Sequence, residues 1–362
     1  MEQREKIVRG CLLGLAVGDA MGHPIDKKSW TEICEAYGPN GLLGYDLMDG
    51  GADVTSYTQF AAYACNGLLL AACRGHHDRY IRYIALSLRD WAKCQQFRGV
   101  PERTFCWVAQ IPELRRRLCM DTRVTDALRR DSLGTPEKLL FSNDSPGTLT
   151  VAVALGMAYD PSRQTMTQLR RLGAEAVALT HGDRLSILAG AYVAGVVGAI
   201  MQNPEKSLLQ HFTETCQGMQ EQFCDDFPEV TELNGLITKA MELTRDPELT
   251  PLAALSMLDC RTAAKCLAGS IYASLIHPAN FDEGMIAAVN HSGYSAATGA
   301  LTGAFLGAKL GAEALPEFYL ESLEAAPYLE ELARDLVMGR QSMLIFDDHW
   351  DEKYVQGLPS TM

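Results

Sequence analysis

The residues with chemical potential lie in a few polar clusters set between long runs of small side chains. Ser145, Pro146 and Gly147 precede a stretch that reads as a helix from Thr148. The backbone N–H groups of Ser145 and Gly147 suit either a phosphate cradle or a plain turn. His181 follows Thr180 at another helix start, as a structural cap or a ligand contact. Asn290 and His291 close a helix before Gly293, bonding its terminus or lining a pocket. Asp19 fits a cap or a backbone hydrogen bond near a cleft better than a reactive role. Arg115, Arg116, Arg117, Arg123, Arg129 and Arg130 crowd one connection between Gly99 and Gly147. They form a solvated rim or a positive lip that receives phosphates. Near the end, Asp347, Asp348, His349, Asp351 and Glu352 make either a cation site or an exposed tail packed through Trp350 and Tyr354.

The elements that must position these groups are helical. Small and apolar residues recur at three- and four-residue spacing. Helices are expected over Arg4–Met21, Tyr57–Cys73, Asp78–Phe97, Thr148–Tyr159, Thr165–Thr180 and Arg184–Gln202. Further ones are expected over Pro204–Glu221, Val230–Arg245, Ala263–His277, Phe281–Asn290, Ser295–Leu310 and Pro316–Gly339. No alternating run argues a sheet, so the expected fold is compact and all-α. Residues 1–340 form the domain and 341–362 a tail packed on it. Gly10, Gly14 and Gly18, and again Gly299, Gly303, Gly307 and Gly311, stand four apart on one face. Each costs roughly 1 kcal/mol of helix stability against Ala, so the stripes must admit close helix approach.

Of 362 residues, 47% are hydrophobic, enough to exclude bulk disorder. The formal charge of −13 argues against a nucleic-acid partner. The charged start, Met1 to Arg9, does not read as a targeting signal. Leu185–Asn203 and Gly284–Ala308 lack charge but are rich in Gly, Ala and Ser, as buried helices are; no membrane span is expected. The 11 cysteines are odd in number and scattered, with no CxxC pair. They read as reduced thiols of a cytoplasmic protein.

Four ordered segments resemble the ADP-ribosylglycohydrolase family. Gly10 to Asp26 (GCLLGLAVGDAMGHPID) is similar to that family's GxxxGxAxGDAxGxPxE opening. Ser56-Tyr57-Thr58-Gln59-Phe60, running to Gly67-Leu68-Leu69, stands where the family has DDTQM and a helix ending in GLL. Leu179 to Asp183 resembles its TH(G/P)D helix start. Ala288 to Ala300 resembles AVNHSGDSDSTGA. Asn143 to Gly147 is a weaker match to an NxSxG loop. The segments span residue 10 to about residue 316.

The resemblance implies an all-α fold and hydrolysis of the glycosidic bond between ADP-ribose and a side chain, with a pair of Mg²⁺ or Mn²⁺ ions. Such ions need several carboxylates, which the family takes from PxE, DDT and DSD. In this chain the DDT acids read Ser56 and Tyr57, and the DSD acids read Tyr294 and Ala296, followed by Ala297. Asp26 alone remains. A second register would set Asp53, Val54 and Thr55 against DDT; the first needs no gap. The dinuclear magnesium site is therefore expected to be lost, leaving no cofactor. Carried over position by position, ligand contacts are expected at Asp19, Asp26, Ser56, Tyr57, Thr58, Ser145, Gly147, His181, Ser292, Gly293, Tyr294 and Ser295. Tyr57 and Tyr294, phenols with reference pKa near 10, either plug a dead site or line a remade pocket. The expectation is a non-hydrolysing member that binds ADP-ribose, an ADP-ribosylated protein or a related nucleotide. The alternatives are a metal-free hydrolase using Asp26 as general base with Tyr57 or Tyr294, and reuse of the fold for structure alone.

Overall fold

The computed structural model describes residues 1–47, 50–96, 104–117, 121–339 and 348–355. The first helices are α1 (Glu2–Gly22), α2 (Trp30–Tyr37), α3 (Ser56–Cys73), α4 (Tyr80–Cys94), α5 (Thr122–Leu128) and α6 (Leu149–Met157). Then come α7 (Met166–Ala178), α8 (Arg184–Gln202), α9 (Leu208–Phe223), α10 (Val230–Leu243), α11 (Pro251–Leu258) and α12 (Ala263–Ile276). The chain closes with α13 (Phe281–Val289), α14 (Ser295–Leu310), α15 (Glu317–Ser322), α16 (Ala326–Met338) and α17 (Asp348–Tyr354). Among the described residues no strand forms; one isolated bridge pairs Ala52 with Leu323.

The centre of the fold is the α1–α14 pair, which makes the most extensive helix contact. Its two glycine stripes face each other. A Cβ on Gly10, Gly14 or Gly18 would come within 3.0 Å of the backbone of Gly307, Gly303 or Gly299, and the reverse holds for all three partners. The helices touch main chain to main chain, which explains why glycine is kept where it weakens each helix. Around this pair pack α12 and α13 against α14, α16 against α1, and α3, α6 and α8 behind. All of α6 is buried. Arg4 closes its C-terminal end by donating to the carbonyls of Met157 and Tyr159, at 3.0 and 2.9 Å. The apolar α8 is long enough to cross a membrane, but 78% of its apolar window is buried inside the fold.

The expected Pro316–Gly339 helix is two helices, because Pro327 opens α16 and cannot sit inside a continuous one. The expected Pro204 start moves to Leu208, where Ser207 and Gln210 form a capping box. Four helices were not anticipated: α2, α5, α11 and α17. The Asp78–Phe97 helix runs from Tyr80 to Cys94, and Phe97 lies outside the described residues. In the C-terminal segment Trp350 and Tyr354 are buried, and the Tyr354 hydroxyl donates to Asp335 at 2.7 Å. Asp347 and the side chains of Asp348 and His349 lie outside the description.

Candidate functional site

Asp19, on the last turn of α1, is fully buried. Its carboxylate accepts from the backbone N–H groups of Thr55 and Thr58 at 2.9 and 3.0 Å and from both hydroxyls at 2.6 Å. These donors all belong to the N-terminal end of α3, where a negative charge is favoured. Burial pushes the Asp19 pKa up while the two threonines pull it down. With four donors in place, Asp19 and Thr58 bind α1 to α3 and do not face a ligand space.

One layer outward, a cavity of about 180 Å³ opens at the starts of α3, α5 and α14. Five predicted residues line it: Ser56, Tyr57, Ser145, Gly147 and Tyr294. Lys27, Asp121, Thr122 and Arg123 complete its wall. Sequence reasoning passed over Lys27, Asp121 and Thr122. Arg123 had been one of six equivalent arginines; a helix N-cap pattern at Asp121 was the available signal for α5. Arg123 holds Asp121 through Nε and Nη2, both at 3.1 Å. The Arg123 hydrogen bonds keep the Asp121 carboxyl below its usual range against the opposing effect of burial.

Asp26 stands beside this cavity with its side chain 3% exposed. Oδ1 accepts from the Ala296 N–H at 3.1 Å. Oδ2 is buried without a hydrogen bond; the Lys27 ammonium approaches to 3.7 Å, an ion pair too long for a hydrogen bond. Burial pushes the Asp26 pKa up to about 6, despite the opposing charge of Lys27. Lys27 adopts a left-handed backbone with φ 64°, fixed by its N–H donating to the Gly293 carbonyl at 2.8 Å. Its Nζ lies 4.9 Å from the Tyr294 ring centroid. Burial, reinforced by Asp26, pushes the Tyr57 phenol well above its ordinary pKa. Tyr294 also rises by burial, with Lys27 and Arg123 pulling it back. Both phenols are neutral donors at pH 7.

His181 lies behind Ser145, with Nε2 3.2 Å from the Ser145 hydroxyl and Nδ1 2.8 Å from that of Thr180. Burial lowers its pKa to about 4, so it is uncharged. It supports the loop. Ser292 accepts from the Trp30 N–H at 2.7 Å and so caps α2, while Ser295 donates to the His291 carbonyl at 3.2 Å. Asn290 brackets Leu42 with two hydrogen bonds of 2.8 Å. Gly293 belongs to a neighbouring cavity. The other predicted arginines are engaged elsewhere. Arg116 pairs with Asp53 and Glu324, which also removes Asp53 from the site. Arg117 binds the Gln95 carbonyl, Arg129 pairs with Asp126 and Arg130 stacks over Phe141.

The sequence profile of the ADP-ribosylglycohydrolases matches residues 1–343. The chain belongs to the ADP-ribosylglycohydrolase family. A solved structure described as an "ADP-ribosylglycohydrolase-related protein complex" is similar over 95% of this chain and 100% of its own, with a TM-score of 0.59 and 21% identity. That likeness supports the fold. No curated protein matches the chain.

The side chains present do not fit the paired cations of the family. Ser56, Tyr57, Tyr294 and Ala296 supply no carboxylate, and the free oxygen of Asp26 faces an ammonium. Among the described residues no group of three or more His, Cys, Asp and Glu side chains is arranged to hold a metal. Two adjacent divalent ions need several negative oxygens. Here each nearby acid already faces a cation of the chain, Asp26 the Lys27 ammonium and Asp121 the Arg123 guanidinium.

Proposed function

We propose that this family member is metal-independent and non-hydrolysing, and that it binds ADP-ribose, an ADP-ribosylated target or a related nucleotide. The carrying observation is the Asp26–Lys27 ion pair at 3.7 Å, beside two neutral phenols, where paired cations would need clustered acids. A cavity of about 180 Å³ admits one ribose- or phosphate-sized group, since pockets that take whole drug-sized ligands measure about 300–1,000 Å³. The rest of a nucleotide then lies across the mouth, beside Arg123. Free, largely buried thiols support a cytoplasmic setting. Isothermal titration with ADP-ribose, NAD and AMP tests the reading. Binding of ADP-ribose unchanged by EDTA is expected; no heat at millimolar ligand rejects it.

A second reading is favoured by the unbonded Asp26 Oδ2 and its pKa of about 6. Such a carboxylate suits a general base for water. Release of ADP-ribose from modified Arg, Ser or DNA, insensitive to EDTA and lost in Asp26→Asn, would select this hydrolase over the binding module. Release abolished by EDTA would instead restore metal chemistry.

A further inference from the structure

On the far side of Lys27 and Tyr294 lies a second cavity, of about 480 Å³, which shares those two residues with the first. Three cationic side chains line it, Lys27, Lys28 and Arg261, against one acid, Glu32. In a chain of net charge −13 this is a local reversal. Glu32 is committed to capping α2, accepting from the Ser29 N–H at 2.8 Å and its hydroxyl at 2.6 Å. Asp259 approaches Arg261 only to 3.8 Å and is held more closely by Lys265, at 2.8 Å. Arg261 is oriented by donating to the Ser292 carbonyl at 3.1 Å.

We propose that this outer cavity binds a phosphate-type anion carried by a small molecule, through Lys27, Lys28 and Arg261. The left-handed backbone of Lys27 is a conformation that non-glycine residues adopt at a cost, and such strain concentrates at ligand sites. It sets the ammonium on the partition between the two cavities. There Lys27 can exchange its long contact with Asp26 for a charge-assisted hydrogen bond to a phosphate oxygen. A ligand with an uncharged group in the inner cavity and an anion in the outer one would span the partition. The anion site deepens the nucleotide-binding reading and relies on it only for the other end of the ligand.

The test uses the whole protein, with sodium pyrophosphate and ADP-ribose as separate probes followed by titration calorimetry and ³¹P NMR. Lys28→Ala/Arg261→Ala removes two exposed cations, and Lys138→Ala controls for a remote surface charge. Pyrophosphate is expected to bind wild-type protein, to weaken at least tenfold in the double variant and to be unchanged in Lys138→Ala. Affinity should also fall steeply with added salt. Pyrophosphate that binds while ADP-ribose does not supports the anion site and rejects the nucleotide reading. ADP-ribose that binds equally to wild type and double variant, with pyrophosphate silent, overturns the anion site and leaves the nucleotide reading standing. Equal pyrophosphate affinity in wild type and double variant also overturns it.

Discussion

The α1–α14 seam and the cavity just beyond its end meet at the start of α14, where α3 and α5 supply most of the cavity wall, and the two regions obey different constraints. Along the seam, backbone meets backbone, and any side chain larger than hydrogen collides with main chain that has no room to yield. Around the cavity, side chains project into space, so an acid can become a tyrosine or a serine while the helix keeps its course. Packing therefore preserves the frame, whereas nothing in the frame preserves the chemistry. The shared frame belongs to the first region, and the side chains that depart from the family pattern belong to the second.

The sharpest way to break this comparison is to load the seam. Gly303→Val should cost about 3 kcal/mol or more, because its Cβ meets the backbone of Gly14. Urea denaturation with a wild-type midpoint would show that the seam tolerates side chains after all. Asp19→Ala should cost about 4 kcal/mol, since it strands two buried N–H groups and two hydroxyls at the start of α3. A loss under about 1 kcal/mol would place Asp19 with the replaceable site residues.

Asp26→Asn should act in the opposite direction and depend on pH. The unfolded carboxyl titrates near 3.8 and the folded one near 6. Below the lower value both states hold the proton, and the group makes no difference. As pH rises through this window the unfolded chain releases its proton first, so the native protein loses stability, by up to about 3 kcal/mol above the window. Asn stays neutral and can still accept from Ala296. The variant should match wild type at low pH and exceed it at pH values above about 7. Parallel stability curves for the two proteins would refute the buried-acid description. The smallest effect is expected from Lys27→Gly, a gain of up to about 1 kcal/mol from relief of its left-handed backbone, read as a shift in melting temperature. A clear loss would mean that the Lys27 side chain stabilises the rim more than its backbone strains it.

Much of the frame was legible because its signals are local. Periodic small residues mark α1, α8 and α14, and the glycine spacing announces the close approach of α1 and α14. Where reading failed, the signal was usually short. Ser29 with Glu32 caps α2, Thr250 with Pro251 opens α11, and Pro327 divides the last long helix. The cavity was legible in part. Ser56, Tyr57, Ser145, Gly147 and Tyr294 are far apart in the chain and were brought together through matched motifs. Lys27 and Asp121 belong to no motif, so only the folded arrangement reveals them, and it alone singles out Arg123 from the six arginines of its connection. Conversely, Ser292, Ser295 and His181 sit in motifs but spend their polar atoms on the surrounding backbone and loops.

The four hydrogen bonds from α3 to Asp19 also have a mechanical consequence. Any push on the inner wall of the cavity that displaces the start of α3 must drag the last turn of α1 with it, and α1 is interlocked with α14 along most of its length. Compliance is left to the opposite bank, where the tether at Lys27 and the half-buried ring of Tyr294 can swing. A guest molecule of the proposed kind would meet a stiff floor and a soft doorway, and differences in shape among guests would be absorbed at the doorway.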